Sequence, residues 1–171
     1  MVEGAKTIRA EGHEGQVTVV AKDEANDLAV LKLPFKPKGT ARFVADASNI
    51  RLGEDVVVFG YPLKQFLSSG GNVTTGTLSA LTGLGNNASN IQITAAIQPG
   101  SSGSPVFDRG GNVVGIVVAK LSDRAMVEET GGVGQTVNFA VNMQTIGAFL
   151  DASRVKYRRA WAWPQFNRST S

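Results

Sequence analysis

The sequence contains no cysteine and a single histidine, His13, and no acidic residue follows Asp151. The lack of cysteine excludes disulfides, zinc–thiolate sites and a thiol nucleophile, without fixing a compartment. One histidine and no clustered carboxylates leave nothing for a hydrolytic metal centre, so neither a metal nor another cofactor is expected. Long apolar runs are missing as well. The longest, such as Val56–Phe59 and Val113–Ala119, fall far short of the ~18 residues that cross a bilayer as a helix. They are short, β-branched and bounded by glycine, which reads as buried strand. Met1–Lys6 lacks a basic start followed by an apolar core, so no signal-peptide pattern opens the sequence.

Charge is present but unevenly spread. The net charge is +3, yet Arg154, Lys156, Arg158, Arg159 and Arg168 all lie near the C-terminus. Without those five cations the remainder carries twelve basic against fourteen acidic residues. The body is therefore not basic, and a nucleic-acid footprint across it is not expected. Residues 152–171 read as a basic, poorly ordered, solvated tail.

The 171 residues, of which 42% are hydrophobic and 18% charged, suffice for one domain with a sizeable core. Up to Asn142 nearly every segment reads as strand and turn. Gln16–Ala21 is β-branched, and Asp27–Leu33 is a half-buried strand ended by Pro34. Further strands are expected at Asp55–Phe59, Val73–Leu81, Ile91–Ala95 and Thr136–Val141. Pro105–Asp108 and Asn112–Lys120 form a hairpin around Arg109-Gly110-Gly111. A helix begins only at Asn142, a good N-cap, with Met143, Ile146, Phe149 and Leu150 on one face. Trp161 and Trp163 find no place in the pattern. Many short strands followed by one helix indicate an antiparallel barrel or sandwich rather than a doubly wound α/β sheet.

The segment with most chemical content is Ile97-Gln98-Pro99-Gly100-Ser101-Ser102-Gly103-Ser104-Pro105-Val106-Phe107. A serine nucleophile needs a tight turn that exposes its Oγ and aims backbone N–H groups at the developing oxyanion. Gly100 and Gly103 flank Ser102 and permit that backbone. Taken alone, Gly-Ser-Ser-Gly-Ser also suits a flexible loop. Its flanks, Ile91–Ile97 and Gly111-Asn112-Val113-Val114-Gly115-Ile116, resemble the HtrA (Deg-type) branch of trypsin-like serine proteases. There a strand, a Pro-Gly-Asn-Ser-Gly-Gly-Pro turn and a hairpin ending in Val-Ile-Gly-Ile follow one another. The resemblance implies Ser102 as nucleophile and the N–H groups of Gly100 and Ser102 as the oxyanion hole. Ser101 departs from the usual Asn or Asp, and Ser104 from the usual Gly.

Asn26-Asp27-Leu28-Ala29-Val30-Leu31-Lys32 resembles the family strand whose aspartate orients the catalytic histidine, which implies that role for Asp27. On local sequence alone, Asp27 is equally a strand-end or turn aspartate. Asp55–Pro62 resembles the strand and turn between the two barrels, Val73–Leu81 the opening of the second barrel, and Asn138–Val141 a strand bordering the cleft. The implied fold is all-β, a chymotrypsin-like double antiparallel β-barrel with an incomplete first barrel and a C-terminal helix. Residues 1–151 form the protease domain: first barrel to about 62, second barrel about 73–142, helix about 143–151. The family is mostly extracytoplasmic, and polypeptides are its substrates.

Triads of this type run His, Asp, Ser along the chain. His13 precedes Asp27, but Glu11-Gly12-His13-Glu14-Gly15 reads as an exposed turn aimed away from the cleft. The family histidine belongs to a run like Asn-His-Val-Val-Glu-Gly-Ala. Met1-Val2-Glu3-Gly4-Ala5 begins as though cut one residue after that histidine, so the base is expected outside these residues. Six residues before Ser102, where trypsin keeps its pocket-floor aspartate, stands Ala96. A small apolar substrate pocket is expected from Ala96 with Phe139, Ala140 and Val141. The alternative is a peptide-binding barrel without catalysis. An α/β-hydrolase would need a histidine after the serine, and none follows.

Overall fold

The computed structural model describes residues 7–46, 50–61, 70–118 and 137–160. Among them the chain is mostly β, with two sheets and one α-helix. The first sheet is antiparallel and three-stranded: β1 (Ile8–Arg9), β2 (Gln16–Asp23) and β3 (Leu28–Lys32). The second contains β4 (Arg42–Phe43), β5 (Asp55–Gly60), β6 (Asn72–Ala80), β7 (Asn90–Ile93), β8 (Pro105–Phe107), β9 (Asn112–Val118) and β10 (Asn138–Asn142).

Six of these close a barrel. Around the ring the antiparallel order is β5, β6, β7, β10, β9, β8 and back to β5. Closure removes the open edges that a sheet of this size otherwise exposes. The strand Asp55–Gly60 pairs with β6 and β8 and is a stave of the closed barrel. Its alternation explains this, since Val56, Val58 and Gly60 turn inward while Phe59 stays exposed.

Leu78, Ile93, Val106 and Val117 lie on the side of the barrel wall shared by Val56, Val58 and Ala140, and Phe139 and Val141 on the other side, all essentially without solvent contact. Burial of each such side chain contributes about 1.5–3 kcal/mol. β4 adds to β9 in parallel, with Phe43 opposite Val113, beyond the end of the β9–β10 pairing.

The helix α1 (Met143–Ala152) starts where β10 ends. Asn142 caps it: its side-chain oxygen accepts from the Thr145 N–H at 2.9 Å, while its Nδ2 donates to the Ala88 carbonyl at 2.6 Å. Met143 and Ile146 are buried against the barrel. Residues 158–160 run beside β4, with Phe43 opposite Arg159. Trp161, Trp163 and Arg168 lie outside the described residues.

Candidate active site

Ser102 stands on the connection between β7 and β8, at one mouth of the barrel, where β7 ends and β10 begins. Two successive tight turns build its support. The Ser101 N–H donates to the Gln98 carbonyl and the Ser104 N–H to the Ser101 carbonyl, each at 3.0 Å. Gly100 and Gly103 make the turns sterically accessible, with φ of 95° and 87°, a region that side chains disfavour. The Gly103 N–H then donates to the Val117 carbonyl and the Val117 N–H to the Ser104 carbonyl, both at 2.9 Å. The turn is thus clamped to Val117 of β9 through Gly103 and Ser104. Ser101 and Ser104 are buried, and Ser102 between them is half-buried.

Gly100, Ser102 and the exposed Ala96 come together because one connection carries them all. The structure places Phe139, Ala140 and Val141 differently from Ala96. All three are buried on a strand paired to β7 and to β9, with Ala140 on the side of Ile93 and Val117 and Phe139 and Val141 on the other side. Two contributors escape the sequence pattern. Val117 is the strand position that holds the turn around Ser102. Asn138 donates from Nδ2 to the Ala95 carbonyl at 2.8 Å and ties β10 to the segment leading into the turn. An amide at the start of a strand is the only hint of Asn138 in the sequence.

Asp27 comes from the other sheet. It closes the four-residue turn between β2 and β3, half-buried, with φ of 53°. Asp23 organises that turn, accepting from the Asn26 N–H at 3.2 Å and the Asn26 Nδ2 at 2.7 Å. Left-handed φ is tolerated by aspartate and asparagine better than by most side chains, so the residue type also has a conformational reason. The Lys22–Asn26 stretch borders a shallow cleft shared with Gln144, Thr145, Ala148 and Phe149 of α1.

His13 occupies the opposite end of the same hairpin. It lies in the turn between β1 and β2, exposed, with its ring stacked on Phe35 at 3.6 Å between centroids. The eight residues of β2 separate it from the Asp27 turn, about 23 Å at the usual strand rise. An imidazole hydrogen-bonded to Asp27 is therefore not His13. Among the described residues no group of three or more His, Cys, Asp or Glu side chains could hold a metal ion. No described helix is long and apolar enough to cross a membrane.

Comparison with known proteins gives a consistent result. The model of the trypsin-like peptidase domain matches residues 2–116. An uncharacterised protein of Sinorhizobium fredii is 47% identical over 132 residues, covering 77% of this chain and 20% of its own length. A probable periplasmic serine endoprotease, DegP-like, of Rhizobium meliloti is 40% identical over 118 residues, covering 67% of this chain and 23% of that protein. The serine protease Do-like HtrA of Bacillus subtilis is 35% identical over 145 residues, 78% of this chain and 31% of that one. The chain thus spans between a fifth and a third of these relatives. Among solved structures, the HtrA-type protease AlgW with decapeptide superimposes with a TM-score of 0.66 at 29% identity, over 90% of this chain and 45% of the other.

Proposed function

This chain belongs to the trypsin-like peptidase domain family, on its HtrA-type branch, and from that membership we propose that it is a serine-endopeptidase domain acting through Ser102. The observation that carries the proposal is the double turn from Gln98 to Ser104, clamped to Val117 through Gly103 and Ser104. A turn held in this way fixes an acyl-transfer centre on a rigid strand rather than on a mobile loop.

In the proposed reaction the Ser102 Oγ attacks the scissile carbonyl carbon. Its proton passes to a general base and then to the leaving amine, and water hydrolyses the resulting ester by the same route. The N–H groups of Gly100 and Ser102 are the proposed donors to the oxyanion. Asp27 is the proposed partner of the base, accepting from its Nδ1–H and stabilising the imidazolium. His13 does not fill the place of base, so the histidine is assigned to polypeptide outside these 171 residues. The named relatives include periplasmic enzymes, and an extracytoplasmic location is proposed on that ground. Peptide substrates are proposed from the neighbour with a bound decapeptide.

The distance of His13 from Asp27 favours a second reading, a peptide-binding barrel without catalysis. The two readings separate in two measurements. Coding DNA upstream of Met1 should hold an in-frame histidine codon. The polypeptide expressed with that extension should react with a fluorophosphonate probe at Ser102, and Ser102→Ala should abolish labelling. A folded, extended protein that binds peptide but takes up no probe establishes the second reading.

A further inference from the structure

No acidic residue follows Asp151, and strand pairing gives the cations just beyond it a definite arrangement. The Phe43 N–H donates to the Arg158 carbonyl at 2.9 Å, and the Ala160 N–H donates to the Phe43 carbonyl at 2.7 Å. Consecutive side chains of an extended strand take opposite faces. Tyr157 and Arg159 take the face toward the body. The Tyr157 ring meets Phe43 edge-on at 5.4 Å, and the Arg159 guanidinium lies over that ring and 3.7 Å from the Asp151 carboxylate. Lys156 and Arg158 therefore take the outward face, and both are exposed. One step before the Phe43–Arg159 pair, Arg42 stands beside Arg158 on that face, exposed as well. Among the described residues, none of Arg42, Lys156 and Arg158 is in an ion pair.

The same pairing leaves one edge of this strand open. Arg158 and Ala160 turn their backbone groups toward β4, so Tyr157 and Arg159 turn theirs the other way. Among the described residues those groups have no backbone partner. Such an edge is a template for one more strand. Beside the strand lies an open groove of about 590 Å³, lined by Asp151, Arg154, Val155, Lys156, Tyr157 and Arg159. Arg159 holds Asp151, so Arg154 and Lys156 leave the groove positive.

We propose that this edge docks an extended acidic segment of a partner polypeptide, added as a strand with alternate carboxylates over Lys156 and Arg158. Alternate side chains on one face of a strand repeat every ~6.4–6.8 Å, and Lys156 and Arg158 are two residues apart on such a strand. Opposite charges facing each other across two strands attract. The open N–H and C=O groups of Tyr157 and Arg159 select a polypeptide over an anionic membrane or a nucleic acid, since neither of those supplies a strand ladder. The proposal does not depend on catalysis by Ser102.

Fluorescence anisotropy of the full chain with a fluorescein-labelled peptide of alternating Glu and Thr tests it. The peptide should bind at low salt and weaken as salt is raised. Lys156→Gln combined with Arg158→Gln, both at exposed positions, should weaken binding by about tenfold through the loss of two cross-strand charge pairs. Far-UV circular dichroism establishes that this variant is folded. Exchanging Glu for Gln in the peptide should weaken binding to the wild type in the same way. The Glu–Thr peptide with every backbone amide N-methylated keeps its charge but loses its strand donors, and it should not bind. Failure of the folded wild type to bind the unmodified peptide overturns the proposal. So does binding that the double substitution leaves unchanged, or an N-methylated peptide bound as tightly. Tighter binding of phosphatidylglycerol vesicles or of single-stranded DNA than of the peptide overturns it too, since the cations would then read charge alone.

Discussion

The Ser104 side chain lies directly over Gly60: a Cβ built on Gly60 would meet the Ser104 Oγ at 2.2 Å and its Cβ at 3.2 Å. The serine that departs from the family glycine is thus accommodated by a glycine on the neighbouring stave. Gly60→Ala should cost about 1–3 kcal/mol through overpacking. Ser104→Gly should remove most of that penalty, so the two changes should couple in a double-mutant cycle read by urea denaturation. Additive losses would show that the Ser104 side chain rotates away without cost.

The ion pair between Arg109 and Asp55 joins the β8–β9 turn to the start of β5, but Arg109 is 80% exposed and Asp55 45%. Water screens such a pair, and exposed pairs contribute about 0–1 kcal/mol. Arg109→Ala should therefore lower the melting temperature only slightly, and the difference from wild type should shrink as salt is raised. A loss that is large and indifferent to salt would contradict the screening argument.

Asn142 has two duties at the junction of β10 and α1. As N-cap it accepts from the Thr145 N–H, and its amide donates to the Ala88 carbonyl. Asn142→Ala should cost about 1 kcal/mol for the cap and about 1 kcal/mol for the second bond. Asn142→Asp keeps the cap acceptor but sets an anion against the Ala88 carbonyl, so it should recover only part of the loss. Thermal melts of the two variants check the order wild type, Asp, Ala.

What was legible in the sequence was local. Asn142 as a cap, the hairpin around Arg109–Gly111 and the glycines flanking Ser102 each follow from residue type and a few neighbours. Features set by long-range pairing were not. Asp55–Gly60 reads identically as a connecting strand or a barrel stave, because alternation reports burial and not the partner that supplies it. The parallel approach of Arg159 to Phe43 spans more than a hundred residues, and only Tyr157 alternating with charged neighbours hints at it. In the site, Ser102, Gly100 and Ala96 were legible as one contiguous segment. Val117 was not, since its contribution is a backbone carbonyl and N–H that any residue possesses.

Ala96 offers a test of substrate preference in the extended, base-bearing polypeptide. It is exposed on the connection that carries Ser102, with no charge of its own for a basic side chain. Peptides with aliphatic residues before the scissile bond should be preferred over those with Arg or Lys. Ala96→Asp should shift the ratio of kcat/KM toward basic residues by about tenfold or more, as a partly desolvated ion pair of roughly 1.4 kcal/mol requires. An unchanged ratio would place the pocket floor elsewhere.

Asp27 separates conformation from chemistry, because its φ of 53° and its proposed role make different demands. Asparagine adopts the left-handed region readily, so Asp27→Asn should fold with little loss of stability. The amide cannot stabilise an imidazolium and favours the wrong tautomer, so hydrolysis by the extended polypeptide should fall by about 10⁴-fold. Asp27→Gly should likewise fold, since glycine accepts the same φ, and should be equally impaired. Asp27→Ala should lose both activity and about 1–2 kcal/mol of stability. If Asp27→Asn retained activity while Asp27→Ala merely melted earlier, the aspartate would be a turn residue alone. The carboxylate that orients the base would then have to be sought on another element.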